Sequence, residues 1–189
     1  NQLLDDLDVM LLQARQNMPA NEKLVLVGHS MGGGVVGRFV SMHPERVDAL
    51  VMSSPALDGG LNAIQKLLLS TLPKIAPNLR VGNGLDPRFI SHDESMVAAY
   101  TSDPLVHDRI SARLGRFIVN NGAEVIASAS NWRVPTLLMF AGQDKLVSPA
   151  GSRAFATNAP SCVEVQFFEH MYHEIFNEPD QAQVFTCMS

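Results

Sequence analysis

The sequence predicts an α/β fold: a mostly parallel sheet with helices on both faces and a helical cap inserted into it. Three observations carry that expectation. Short apolar runs at residues 24–27, 49–54 and 136–141 recur with helical segments between them, as parallel βαβ units require. The first run passes through a glycine-rich turn, Gly28-His29-Ser30-Met31-Gly32-Gly33-Gly34, directly into a helix. Residues 60–130 then break the rhythm with helices and loops and no convincing strand. The core is therefore expected in residues 1–59 and 131–189, with 60–130 as the cap.

Residues 3–18 set Leu4, Leu7, Leu11, Ala14 and Met18 on one helical stripe, with Asp5, Asp6 and Asp8 early, where the helix dipole favours acids. Pro19 and its neighbours end that helix. Leu24-Val25-Leu26-Val27 does not alternate, so it reads as a strand buried on both faces. Val35, Val36, Phe39 and Val40 then follow helical spacing up to a stop at Pro44. In the expected cap, Leu61, Ile64, Leu68 and Leu72 share a face widened by Leu67 and Leu69, and Pro73 and Pro77 break the run. Asp103-Pro104 reads as an N-cap with proline in the first turn. Leu105, Ile110, Leu114, Phe117 and Ile118 form the next apolar face, ended by Asn120-Asn121-Gly122. Core packing accounts for such leucine stripes. A lid over an apolar cleft also does, and it makes Leu61, Leu68 and Leu69 candidate substrate contacts. The fourth strand differs from the others: Val163, Val165 and Phe167 alternate with Glu164, Gln166 and Phe168, as a half-exposed edge strand would. A helix is expected from near Ile175, and Ala182, Val184 and Phe185 read as a final helix cut short at Ser189.

Composition narrows the function. At 189 residues and 46% hydrophobic, the chain can bury one substantial core. A net charge of -5 argues against nucleic acid, and no run of like charge marks a polybasic membrane patch. Cys162 and Cys187 make neither a disulfide framework nor a metal-site spacing, which is compatible with a reducing compartment. No apolar stretch approaches the ~20 residues of a membrane span. The chain opens on Asn1 rather than methionine, so the lack of a visible targeting signal carries no weight.

The chemistry centres on Gly28-x-Ser30-x-Gly32, the nucleophile-elbow pattern, in which a serine is lifted above a sheet on a strained turn with no room for neighbouring Cβ atoms. The turn could instead bind phosphate or merely pack, but no G-x-G-x-x-G and no Lys-Ser/Thr follows. A serine hydroxyl needs a base, and the base an orienting acid. Asp144 follows the third strand directly and His173 lies beyond the fourth, both at the sheet end that carries Ser30. Asp58, after the second strand, is the rival acid, and His170 the rival base. His170-x-x-His173-Glu174 fits no zinc motif and no further ligand cluster accompanies it, so neither metal nor cofactor is expected. His29 reads as a shaper of the elbow, and His43, His92 and His107 as surface or helix-end residues.

Gly28-His29-Ser30-Met31-Gly32-Gly33, with a helix ending at His43-Pro44, resembles the monoacylglycerol lipase and lysophospholipase branch of the α/β-hydrolases. So do Ser53-Ser54-Pro55, Pro77-Asn78-Leu79, Tyr100 to Leu105, Gly142-Gln143-Asp144 and Tyr172-His173-Glu174. The resemblance implies Ser30 as nucleophile, Asp144 as acid, His173 as base and the Met31 backbone N–H as one oxyanion donor. It also implies a helical cap admitting one acyl chain. The second oxyanion donor belongs, in that family, to a loop after an earlier strand. No such segment precedes the first helix here, so the chain is expected to be an internal fragment. The expected activity is hydrolysis of carboxylic esters of monoacylglycerol or lysophospholipid type, with peripheral membrane contact through the cap and a cytoplasmic or membrane-surface location. The alternatives are a hydrolase of small esters or amides, and a catalytically silent scaffold or partner-binding fragment.

Overall fold

Leu4, Leu7, Leu11 and Ala14 lay one stripe of the first helix, α1 (Gln2–Asn17), on the core, and Met18 just beyond its end joins them. These and all later positions come from a computed structural model that describes residues 2–60 and 63–188, without the side chains of 63–68. The chain continues through β1 (Val25–His29), α2 (Met31–Met42), β2 (Ala49–Ser53), α3 (Ala63–Ile75), β3 (Arg80–Gly82) and α4 (Glu94–Ser102). It then runs through β4 (Arg109–Ser111), α5 (Ala112–Ser128), β5 (Thr136–Ala141), α6 (Pro149–Asn158), β6 (Val163–Phe168) and α7 (Ala182–Thr186).

Four strands form one parallel sheet in the order β1-β2-β5-β6. Parallel pairing puts every strand's carboxyl end on one edge, where Ser30, Ser54, Gly142 and Glu169 follow. Side chains alternate between two cores. Leu50, Met52, Leu138 and Phe140 face one that Val36, Phe39, Val125 and Phe155 complete from α2, α5 and α6. Val51, Met139 and Ala141 face the other, closed by Phe168, Met171, Ile175 and Val184. The sheet is thus covered on both faces at its centre, and β6 is an edge strand as its sequence suggests.

Several local expectations give way to tertiary packing. The strand read as buried on both faces is half-exposed: Val25 and Val27 are 53% and 50% exposed. Among the described residues β1 pairs only with β2, and the second core ends at Val51 without reaching over β1. In β6 the buried residue is Phe168, while Val165 and Phe167 are each 40% exposed. The segment expected to hold no strand contains an antiparallel ribbon, β3 with β4. Each strand is three residues long, too short for a period to show. Pro73 does not stop α3, which runs on to Ile75; so near a helix end a proline forfeits little hydrogen bonding. Asp103-Pro104 starts no helix. Asp103 closes α4 and its carboxylate accepts the Leu105 N–H of a turn (2.8 Å), leaving Leu105 87% exposed. Ile175–Asn177 is a short 3-10 turn, and the last helix waits until Ala182, after Pro179.

Asn120-Asn121-Gly122 ends nothing: α5 passes through it to Ser128. Buried Asn121 donates its side-chain amide to the Gly34 carbonyl of α2 at 2.7 Å. A Cβ on Gly122 would sit 2.2 Å from the Leu57 carbonyl oxygen. Residues that locally resemble a helix stop here let two elements approach. The same helix carries Val125 into the core beneath the sheet, so α5 anchors residues 63–128 to the strands.

Candidate active site

One residue makes the whole turn from β1 to α2. Ser30 has φ 53° and ψ -122°, a left-handed conformation costly for a residue with a Cβ. The strain is held from outside. The Ser30 N–H donates to the Ser53 carbonyl at 2.9 Å, and the Ser30 carbonyl accepts from Gly34 (3.1 Å) and Ala56 (2.8 Å). Gly28 is glycine for a steric reason: a Cβ there would lie 2.5 Å from Val36 Cγ2 and 2.7 Å from the Gly32 carbonyl oxygen. Gly32 itself is not crowded, contrary to the elbow expectation; a Cβ there would meet nothing within 4 Å. Met31 opens α2, so its N–H has no acceptor within the helix.

Asp144 leaves β5 through a loop tied to the one after β6. Gly142 N–H donates to the Phe168 carbonyl at 2.8 Å and Gln143 N–H to that of Met171 at 3.0 Å. The Asp144 carboxylate accepts from Leu146 (2.8 Å) and Val147 (2.9 Å) through Oδ1, which aims Oδ2 at His173 Nδ1, 2.6 Å away. Both side chains are buried. A carboxylate oxygen facing Nδ1 favours the tautomer with its hydrogen on Nδ1, in which Nε2 is the acceptor. The His173 ring lies 4.8 Å from that of His29, the residue before Ser30. Hence the structure gathers Ser30, Asp144 and His173 at one end of the sheet.

His29 is held by Ser53, whose Oγ lies 3.0 Å from Nδ1. Burial foremost, then the neighbouring His173, lower its pKa from 6.5 to about 4, against a smaller upward pull from Asp144. The ring therefore stays uncharged near neutral pH. The rivals lie elsewhere. Asp58 Oδ1 accepts the Gly60 N–H at 2.9 Å, and the His170 side chain is 83% exposed. Leu61 and the side chain of Leu68 fall outside the described residues, and half-buried Leu69 packs on α5 at Gly115. A cavity of about 420 Å³ is walled by Leu85, Pro87, Ile90, Tyr100 and Val106 on one side and Leu146, from the Asp144 loop, on another.

Two features escaped sequence reasoning. Ser54, buried beside the elbow, also takes a positive φ of 37°; no local signal marks a serine for that. His92 is not an ordinary surface histidine: it stacks on Tyr172 and meets the buried carboxylate of Glu178. Its partners are remote in sequence, and only the fold brings them together.

Comparison with known proteins gives a consistent picture. The profile of the family described as serine aminopeptidase, S33, matches residues 1–180. A monoacylglycerol lipase of Mycolicibacterium smegmatis is 32% identical over 188 residues, covering 97% of this chain and 66% of that protein. A phospholipase of Bacillus subtilis is 30% identical over 190 residues, covering 97% and 72%. The crystal structure of a Paleococcus ferrophilus monoacylglycerol lipase superposes with a TM-score of 0.87 at 32% identity, covering 98% of this chain and 71% of that one. A monoglyceride lipase of Saccharomyces cerevisiae in complex with a substrate analogue shares the fold, with a TM-score of 0.83 at 24% identity over 100% of this chain and 66% of that one. The chain thus spans about two thirds of the length of these relatives.

Proposed function

The chain belongs to the serine aminopeptidase S33 family of α/β-hydrolases, and from that premise we propose that it hydrolyses carboxylic esters of the monoacylglycerol or lysophospholipid type. The observation that carries the proposal is the buried His173–Asp144 pair, 2.6 Å apart, set against the strained turn that presents Ser30. In this reading His173 Nε2 takes the Ser30 proton as Oγ bonds to the ester carbonyl carbon. The same proton then passes to the leaving alkoxide as the C–O bond breaks, and a second cycle with water frees the acid. Asp144 holds the imidazole and stabilises its charged form. The Met31 N–H donates to the oxyanion.

The lipid part of the proposal is supported by the relatives named for monoacylglycerol and phospholipid hydrolysis. The cavity beside Leu146, apolar at Leu85, Ile90 and Val106 and polar at Asn83, Thr101 and Asp108, gives an acyl or glyceryl group somewhere to lie. We take residues 60–130 as the cap over that cleft, since among the described residues the main sheet has no member between Ser53 and Thr136. An amide hydrolase of the same triad is the second reading, favoured by the peptidase name of the family.

Ser30→Ala and His173→Ala should each abolish ester hydrolysis, and Asp144→Asn should lower it about 10⁴-fold by spoiling the tautomer. On a series of p-nitrophenyl esters and monoacylglycerols, kcat/KM should climb with acyl length until the cleft is full, each buried methylene adding ~0.8 kcal/mol at most. A flat profile, with faster turnover of aminoacyl amides, would favour the second reading.

A further inference from the structure

A second buried carboxylate lies close to His173 in the chain. Glu178 is 2% exposed. A carboxylate is costly to desolvate unless donors surround it, and here two residues supply them. Tyr172 N–H reaches Oε1 at 2.5 Å and His92 N–H reaches Oε2 at 3.2 Å, while His92 Nδ1 lies 3.0 and 3.1 Å from the two oxygens. The His92 ring also stacks on that of Tyr172, with centroids 3.6 Å apart and planes 17° from parallel. One carboxylate thus grips the residue immediately before His173 and the residue that opens the approach to α4.

The same segment holds the rest of the turn. Glu174 N–H donates to the Ile90 carbonyl at 2.8 Å and His173 N–H to that of Phe89 at 3.4 Å. Ser91 Oγ donates to the Asn177 carbonyl at 2.8 Å. No helix or strand spans residues 169–174, so the turn is held by these anchors together with buried Met171, whose carbonyl accepts the Gln143 N–H.

We propose that Glu178 is a positioning residue for His173, fixing through Tyr172 and His92 the turn that carries the imidazole to Asp144. The proposal rests on the reading of Ser30, Asp144 and His173 as the catalytic groups. Glu178 touches no reacting atom; it acts through the backbone of Tyr172. A displacement of about 1 Å at a catalytic group is enough to cost about a hundredfold in turnover.

Glu178→Gln keeps one acceptor for the Tyr172 N–H but turns an amide toward His92, whereas Glu178→Ala keeps neither. In folded protein, checked by circular dichroism, kcat should fall about tenfold in the first and about a hundredfold in the second, with KM within about twofold. The downfield proton resonance of His173 Nδ1–H bonded to Asp144 should weaken in the first and vanish in the second. Adding Glu178→Ala to Asp144→Asn should cost less than about threefold more, because orientation is already lost. An unchanged resonance and unchanged kcat in the variants would overturn the proposal, as would losses that simply multiply in the double variant. If Glu178→Ala does not fold, Glu178→Gln alone carries both readouts. If wild type and Ser30→Ala are equally inert on esters, the catalytic reading fails, and the resonance still decides the role of Glu178.

Discussion

Ser30 and His29 sit side by side, and the fold gives them opposite tasks. Ser30 bears the strain of the turn, while half-buried His29 beside it is bonded to Ser53 and faces His173. A neutral ring there has a cost in acid. With the folded pKa near 4 and the unfolded value at 6.5, the unfolded chain binds more protons between those limits. Stability contributed by the neutral ring is therefore full above 6.5 and lost as pH falls toward 4. The shift corresponds to about 3 kcal/mol. His29→Gln should thus lose about 3 kcal/mol less stability than wild type between pH 7 and pH 4, read by urea unfolding; parallel losses would show that His29 is not the group titrating. The loop positions of Asp144 and His173 are legible in the sequence because each follows a strand at the same sheet end. Their separation from Asp58 and His170 is less so, since burial and backbone donors, not residue type, set them apart. Glu178 and His92 are illegible for a stronger reason: each looks like a surface residue until the fold pairs them.

Elements are read from local signals, and those signals mislead where two elements press together. The Asn-Asn-Gly of α5 has the composition of a helix end, yet it lies mid-helix because Gly34 and Leu57 pack onto it. The strands of the main sheet are legible since their apolar runs are long and flanked by helices. The ribbon of β3 with β4 is not, because three residues cannot display a period. Gly122→Ala measures how tight the α5 contact is. Helix propensity would add up to about 1 kcal/mol of stability, but the new methyl must displace the Leu57 backbone. The net expectation is a loss of about 2 kcal/mol in urea unfolding. A variant as stable as wild type would mean that α5 and the Leu57 segment have room to part.

Across the whole molecule the sheet joins two unequal cores, and its least covered part is β1. Val25 and Val27 present a half-exposed apolar face beside a strand with one described neighbour, the setting in which strands pair with other chains. Residues 1–189 are expected to self-associate in sedimentation, and Val25→Lys with Val27→Glu to shift them toward monomer without lowering the folded fraction. A monodisperse wild-type monomer would refute that expectation. The same architecture gathers four strand ends at one edge, where Ser30 is the proposed nucleophile. Labelling with a fluorophosphonate, followed by peptide mass spectrometry, tests this most directly. A single adduct is expected on the peptide containing Ser30, absent in Ser30→Ala and formed at least about a hundredfold more slowly in His173→Ala. No adduct at Ser30 in folded protein, or labelling at the wild-type rate in His173→Ala, would contradict it.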